Sequence, residues 1–362
     1  QRQMCIRDRC IERFRACGTP LALVSMDNCS HNGEKLQKAV IEIASAWREN
    51  GSITAEEYAY LENDVAFPWS MIDKITPRPN PSVEKQLLAD GLEDISPFET
   101  AKHTFTAAFV NAEKPQYLVI EDKFPNGRPP LEEAGVIITS RDVVNKVEKM
   151  KVCTCLNPLH TCLAVYGCIL GYDSIAAEMR DEDLVKFITR MSHEEGMPFV
   201  VNPGVIDPEK FLNEVLTVRF PNPFMPDTPQ RIATDTSQKL SIRFGETIKA
   251  YIASPDHEAS ELTLIPLVLA GWLRYLIGVD DNGAVFPCSP DPLLEAMQAH
   301  LAGMKLGGTI DAEKLRPILS DASIFAVDLY ECDLADKVIG CFIELMAGPG
   351  AVRATLRKYV NA

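Results

Sequence analysis

Along roughly the first 140 residues, short apolar runs alternate with stretches of helical spacing. The run Leu21–Met26 ends in Asp27 and Asn28, which predicts a buried strand with polar side chains at its carboxyl end. From Glu34 to Asn50 the apolar positions are Leu36, Val40, Ile43, Ala44 and Trp47, the spacing of an amphipathic helix. Thr54 and Glu57 stand at capping-box spacing and predict the start of a second, short helix. The stretch Phe67–Pro77, interrupted by Pro68, predicts irregular backbone, and Asn32-Gly33 predicts a turn. Residues 116–120 and 136–139 predict two further strands. Strands alternating with helices predict a parallel or mixed sheet.

From about Val144 the period changes to that of helices. Helical patterns cover Leu159–Met179, Asp181–Met191, Pro208–Val218, Ile242–Ala253, Glu258–Ile277, Pro292–Ala302 and the stretch from Ala335 to the end, and Asp281-Asn-Gly283 predicts a turn. The expected organisation is α/β plus all-α, with an α/β part over 10–148 and a mainly helical part over 149–362. Residues 1–9, polar and rich in Cys and Arg, resemble translated adapter sequence and are expected to be foreign to the domain.

Composition narrows the functional classes. The net charge of −15 and the absence of a basic run argue against a nucleic-acid partner. The longest apolar stretch, Leu262–Leu273, contains Thr263 and Pro266 and is stopped by Arg274, so no membrane span is expected. The N-terminus lacks the apolar core of a signal peptide. The chain has 11 Cys without a CxxC pair, which reads as reduced thiols of a cytoplasmic protein with no zinc site. Neither GxGxxG, Walker A, GxSxG nor HExxH occurs.

Five ordered segments carry a resemblance to the mannitol dehydrogenase family. Ser25-Met-Asp-Asn-Cys-Ser-His-Asn-Gly33 comes first, followed by Phe67–Pro77, where Ile72-Asp73-Lys74 replaces the usual Val-Asp-Arg. Leu118–Phe124 resembles the strand before the family's domain junction. Lys151 with Leu156-Asn157-Pro-Leu-His160 resembles the Lys…Leu-Asn-x-x-His site, with one additional residue between Lys and Asn that leaves Lys149 as an alternative. Gly278–Gly283 resembles a late family turn. The resemblance implies that only the later part of a Rossmann-type NAD-binding domain is present, its Gly-rich loop falling before residue 21, followed by the helical substrate domain.

The resemblance further implies NAD(H)-dependent interconversion of a ketone and a secondary alcohol on a small sugar acid or polyol, with no metal and no required oligomer. It gives Lys151 the acid/base role, which a lysine performs near neutral pH only when its pKa is lowered. The alternative is a solvated Lys146–Lys149–Lys151 face. It makes Asn157 and Asn28 oxyanion donors, although Asn157 before Pro158 also reads as a helix cap and Asn28 as a turn residue. His160, three residues after Asn157 and on the same helix face, is implied to orient the lysine or a substrate hydroxyl. Asp73 is implied to lie near substrate and coenzyme, or else pairs with a local Lys, and Asn32 with Asn28 is a candidate coenzyme contact. Arg231, Lys239 and Arg243 are the candidate substrate-binding cations. The stretch Thr236–Arg243 resembles the fructuronate-reducing branch, where an Arg fork suits a carboxylate that a hexitol lacks. The expected reaction is therefore reduction of D-fructuronate to D-mannonate. Mannitol/fructose or tagaturonate chemistry, and a non-catalytic fragment, are the alternatives.

Overall fold

The computed structural model describes residues 2–74, 79–112, 116–225 and 227–362, with side chains from Asp8 onward. The last residues of the expected irregular stretch, 75–77, lie outside the described residues. The chain forms two compact units. Unit 1 comprises Gln1–Ile75, Ala112–Lys149 and Asn202–Asp207, and unit 2 comprises Thr76–Asn111, Met150–Val201 and Pro208–Ala362. A single cut near residue 148 therefore captures one of several crossings. The other crossings arise from tertiary contacts of segments 76–111 and 202–207, which leave no trace in local periodicity.

In unit 1 the first helix runs unbroken over Arg2–Ala16, through the end of the segment expected to be foreign. Its Cys10 and Ile11 are buried in a core with Val40, Ala44, Tyr60, Leu61 and Val65. The amphipathic helix is Asn32–Glu49, so Asn32-Gly33 opens a helix instead of forming the expected turn. The turn falls one residue earlier, at His31, whose φ of 53° is left-handed. Gly33 is required there, because a Cβ would come 2.7 Å from the Pro68 carbonyl oxygen. The helix Ala55–Asn63 starts with the expected capping box between Thr54 and Glu57.

The first strand is shorter than its apolar run. Leu21–Ala22 pairs in parallel with Val65–Ala66, and Pro68 offers no N–H to extend the ladder. A second sheet pairs Ser70–Asp73 antiparallel with Tyr117–Glu121, which pairs in parallel with Ile137–Thr139. Ser70–Asp73 is a strand inside the stretch expected to be irregular. Its buried positions include Ser70 and Asp73, so the apolar pattern is disguised.

Unit 2 is built around two buried helices, Asn157–Leu170 and Leu264–Leu276. The Tyr166 hydroxyl donates to the Leu267 carbonyl at 2.9 Å, tying one to the other. The first ends at Gly171 in the left-handed region, short of the expected Met179. The terminal helical stretch likewise splits, at Gly348–Gly350, into Ala335–Leu345 and Ala351–Val360. The Asp281 carboxylate accepts the N–H groups of Val352 and Arg353, so the expected Asp281–Gly283 turn caps the last helix. On Asn157–Leu170, Gly167 faces the fully buried carboxyl of Glu178. Both Glu178 oxygens lack a hydrogen bond among the described residues, and burial pushes its pKa well above the usual carboxylate range.

Four π-helical turns interrupt unit 2, at Met150–Cys155, Met191–Gly196, Val215–Arg219 and Ser241–Gly245. Two of them stand where Pro208–Val218 and Ile242–Ala253 predict uninterrupted helices. Arg141–Leu170 is long and apolar enough to cross a membrane by length and composition, but 78% of its most apolar stretch is buried against the chain, as in a core helix.

Candidate active site

The site begins where the helix Arg141–Lys149 passes into the π turn Met150–Cys155. The Leu156 N–H donates to the Lys151 carbonyl at 3.1 Å, five residues back. A π turn holds one residue more than an α-turn, and this one lies between Lys151 and Asn157. Lys151 is buried on this turn, whereas Lys149 is exposed.

Asn157 is the first residue of the next helix, not its cap. Leu156 takes the cap position, and Pro158 follows within the first turn. Among the described residues the Asn157 side-chain amide makes no hydrogen bond, so the capping reading fails and its donors remain available. The Thr161 hydroxyl donates to the Asn157 carbonyl at 3.0 Å and accepts a short hydrogen bond from Arg243.

His160 lies one turn into the same helix, against Phe220 at 5.1 Å between ring centroids. Its Nε2 is enclosed and makes no hydrogen bond among the described residues. The nearest carboxylate oxygen, Oδ2 of Asp227, is 3.6 Å away. Burial, followed by the charges of Arg243, Arg231, Arg219 and Lys239, pushes the imidazole pKa down to about 3, so the ring is neutral.

The three predicted substrate cations thus surround His160, but they differ in what they touch. Arg231 is exposed and pairs closely with Asp227. Lys239 gives its ammonium to the carbonyls of Ile232 and Thr234, and burial with nearby Arg243 lowers its pKa. Arg243, half-buried on the π turn Ser241–Gly245, bonds only Thr161 and has no carboxylate partner among the described residues. Burial lowers its pKa to about 10, still leaving it charged at neutral pH. Arg243 also lines a small, partly open cleft together with Cys153, Leu159, Met191, Phe244 and Ile265.

Asp227, Thr161 and Arg219 belong to this constellation and were not singled out from the sequence. Asp227 carries no motif, and only the fold brings it to His160, whereas Arg231 lies four residues on, at local i,i+4 spacing. In unit 1, Asn28 is exposed in a bend beyond Leu21–Ala22, and Asp73 is buried at the end of its strand. Asn32 is buried, with its amide donating to Ser70 Oγ at 2.9 Å and the Asp27 carbonyl at 3.0 Å and accepting from the Ser70 N–H at 3.0 Å. These bonds hold the 25–27 loop and engage the amide protons of Asn32.

A Rossmann-type unit followed by a mainly helical unit is the architecture of a two-domain dehydrogenase family. The chain belongs to the mannitol dehydrogenase family: residues 3–133 match its Rossmann domain and residues 143–340 its C-terminal domain. It is 53% identical over 353 residues to the D-mannonate oxidoreductase of Thermotoga maritima, covering 97% of this chain and 65% of that protein. It is 29% identical to a mannitol 2-dehydrogenase of Aspergillus fumigatus, covering 96% of this chain and 63% of that protein. Among solved structures it resembles Pseudomonas fluorescens mannitol 2-dehydrogenase in ternary complex with NAD and D-mannitol (TM-score 0.71, 28% identity, 97% of this chain and 65% of that one). It also resembles substrate-free D-sorbitol dehydrogenase (TM-score 0.78, 26% identity, with the same shares covered). The chain thus spans just under two thirds of the length of these relatives.

Proposed function

We propose that this chain carries the substrate site of an NAD(H)-dependent reductase of a hexuronate ketone, forming D-mannonate from D-fructuronate. The observation that carries the reading is Arg243, a half-buried guanidinium without a carboxylate partner among the described residues, standing among four cations in a chain of net charge −15. Such a group calls for an anion, and a guanidinium fork matches a carboxylate. The Thermotoga relative's name, D-mannonate oxidoreductase, supports the acid over the hexitol.

The residues present fit one end of a dinucleotide. Asn28 and Asp73 stand at or beyond the carboxyl ends of their strands, where ligands bind in open α/β sheets. The Gly-rich loop that would cradle the pyrophosphate is not among the 362 residues. The coenzyme named in the Pseudomonas complex, NAD, would in its reduced form supply the hydride when bound.

The protein's own groups do the rest. Lys151 gives a proton to the carbonyl oxygen as it becomes an alkoxide, and the unbonded Asn157 amide donates a hydrogen bond to that oxygen. Neutral His160, with its orphaned Nε2, takes a hydrogen bond with a substrate hydroxyl or the lysine. Asn28 and Asp73 serve coenzyme and substrate, Arg243 holds the carboxylate, and Lys239 and Arg231 add positive potential. All ten described cysteines are free thiols, consistent with action in the cytoplasm.

Calorimetric titration of D-mannonate and D-mannitol into the chain tests this reading. Mannonate should bind the more tightly. Arg243→Leu should weaken it about ten- to hundredfold, the worth of a charge-assisted hydrogen bond, while leaving mannitol unaffected. Equal binding of acid and polyol would instead favour the hexitol chemistry named for the Aspergillus relative.

A further inference from the structure

The Asn32 amide holds one side of the exposed loop bearing Asn28, and His31 stands on the other. His31, three residues on, is a non-glycine residue in the left-handed region, with φ 53° and ψ 44°. Such backbone persists only where surrounding contacts hold it, and it concentrates at functional sites. The contacts are specific. The imidazole stacks on Trp69, with 4.2 Å between centroids and 21° between planes. Its Nε2 lies 3.1 Å from Asn145 Oδ1, and its backbone N–H donates to Glu148 Oε2 at 3.3 Å. Asn145 and Glu148 share one face of the helix Arg141–Lys149.

Trp69 is itself fixed. Its backbone N–H donates to Glu121 Oε2 at 2.9 Å, and Arg141, which pairs with the same Glu121, lies 4.9 Å over its ring. The loop is pinned on its other side by the Asn32 amide, which reaches the Asp27 carbonyl and Ser70. Asn28 sits between these two anchors.

We infer that His31 is a positioning residue: it clamps the Asn28 loop to the helix Arg141–Lys149, and that clamp sets the aim of the Asn28 amide. The inference rests on the role proposed for Asn28, but its central test does not need turnover. Hydrogen exchange of the folded chain is compared for wild type, His31→Ala, His31→Asn and Asn145→Ala. Exchange across 27–31 should quicken about tenfold in His31→Ala and Asn145→Ala, while amides of Leu36–Trp47 stay as they are. His31→Asn keeps a left-handed backbone but can neither stack on Trp69 nor reach Asn145. It should exchange nearly as fast as His31→Ala.

Unchanged exchange in Asn145→Ala, or wild-type exchange in His31→Asn, would overturn the clamp, because the backbone alone would then suffice. Turnover of D-fructuronate with NADH separates the clamp from the wider reading. The clamp predicts a lower kcat with little change in sugar-acid KM for both His31 variants. Quickened exchange with unaltered kcat, in a preparation that Lys151→Met inactivates, would overturn the positioning role and leave the reductase reading intact. If Lys151→Met also keeps full activity, the reading of the site fails along with it.

Discussion

His160 is neutral because four cations and burial oppose its protonation, and that has a cost in acid. Its folded pKa of about 3 lies below the ordinary value of about 6.5, so between these limits the unfolded chain takes up a proton that the folded chain refuses. Stability therefore falls as pH drops through this window, by up to about 1.4 kcal/mol per pH unit from this group alone. Urea titrations at pH 4 to 7 should show a shallower slope in His160→Gln, with the curves converging above pH 7. In proton NMR, the wild-type His160 ring resonances should not move between pH 5 and 8. At this scale the sequence is informative where residue type announces chemistry. Lys151, Asn157, His160 and Arg243 can be singled out by their types and by a family resemblance. Asp227 cannot, because its approach to His160 comes only through folding, and an i,i+4 pair with Arg231 does not by itself mark a site.

Among the elements, the long buried helix Leu264–Leu276 depends on a side chain from elsewhere in the chain. Glu195, on the π turn Met191–Gly196, accepts the N–H groups of Thr263, Leu264 and Ile265, each at 2.7 Å. These N–H groups have no intrahelical partner, and the positive end of the helix dipole favours the carboxylate. Burial raises the Glu195 pKa, and the three N–H groups oppose the rise. Glu195→Ala should lower stability by about 3 kcal/mol in urea unfolding, and Glu195→Gln by less, since an amide oxygen still accepts. The two caps contrast in legibility. Thr54 and Glu57 can be read directly because both partners lie within one turn. The Glu195 cap cannot, so the helix was expected from Glu258 but starts at Leu264. The π turn at Lys151 is likewise unmarked in the local periodicity, and the bond to the Lys151 carbonyl defines it.

At the scale of the molecule, a change from short strands to long helices made the two-part organisation legible. The crossings by 76–111 and 202–207 were not, since they depend on which surfaces meet. The missing Gly-rich loop also acts at this scale. Backbone N–H groups at a helix N-terminus supply much of the grip on a pyrophosphate. Without them, the folded chain should bind NADH at a Kd of about millimolar, instead of micromolar, in a fluorescence titration, losing about 4 kcal/mol. Saturation at micromolar NADH would show that other residues of these 362 hold the pyrophosphate.

Gly167 and Glu178 also constrain how this protein can vary. A methyl group on Gly167 would sit 2.0 Å from the Glu178 carboxyl, in a place with no free space to receive it. Alanine at 167 is therefore opposed while the acid remains, and a smaller side chain at 178 relieves that clash, leaving the tighter-than-usual approach of Pro229 Cβ at 3.1 Å. The two positions form a one-way path through sequence space: the acid must yield first, and after an alanine has settled at 167 the glutamate cannot return.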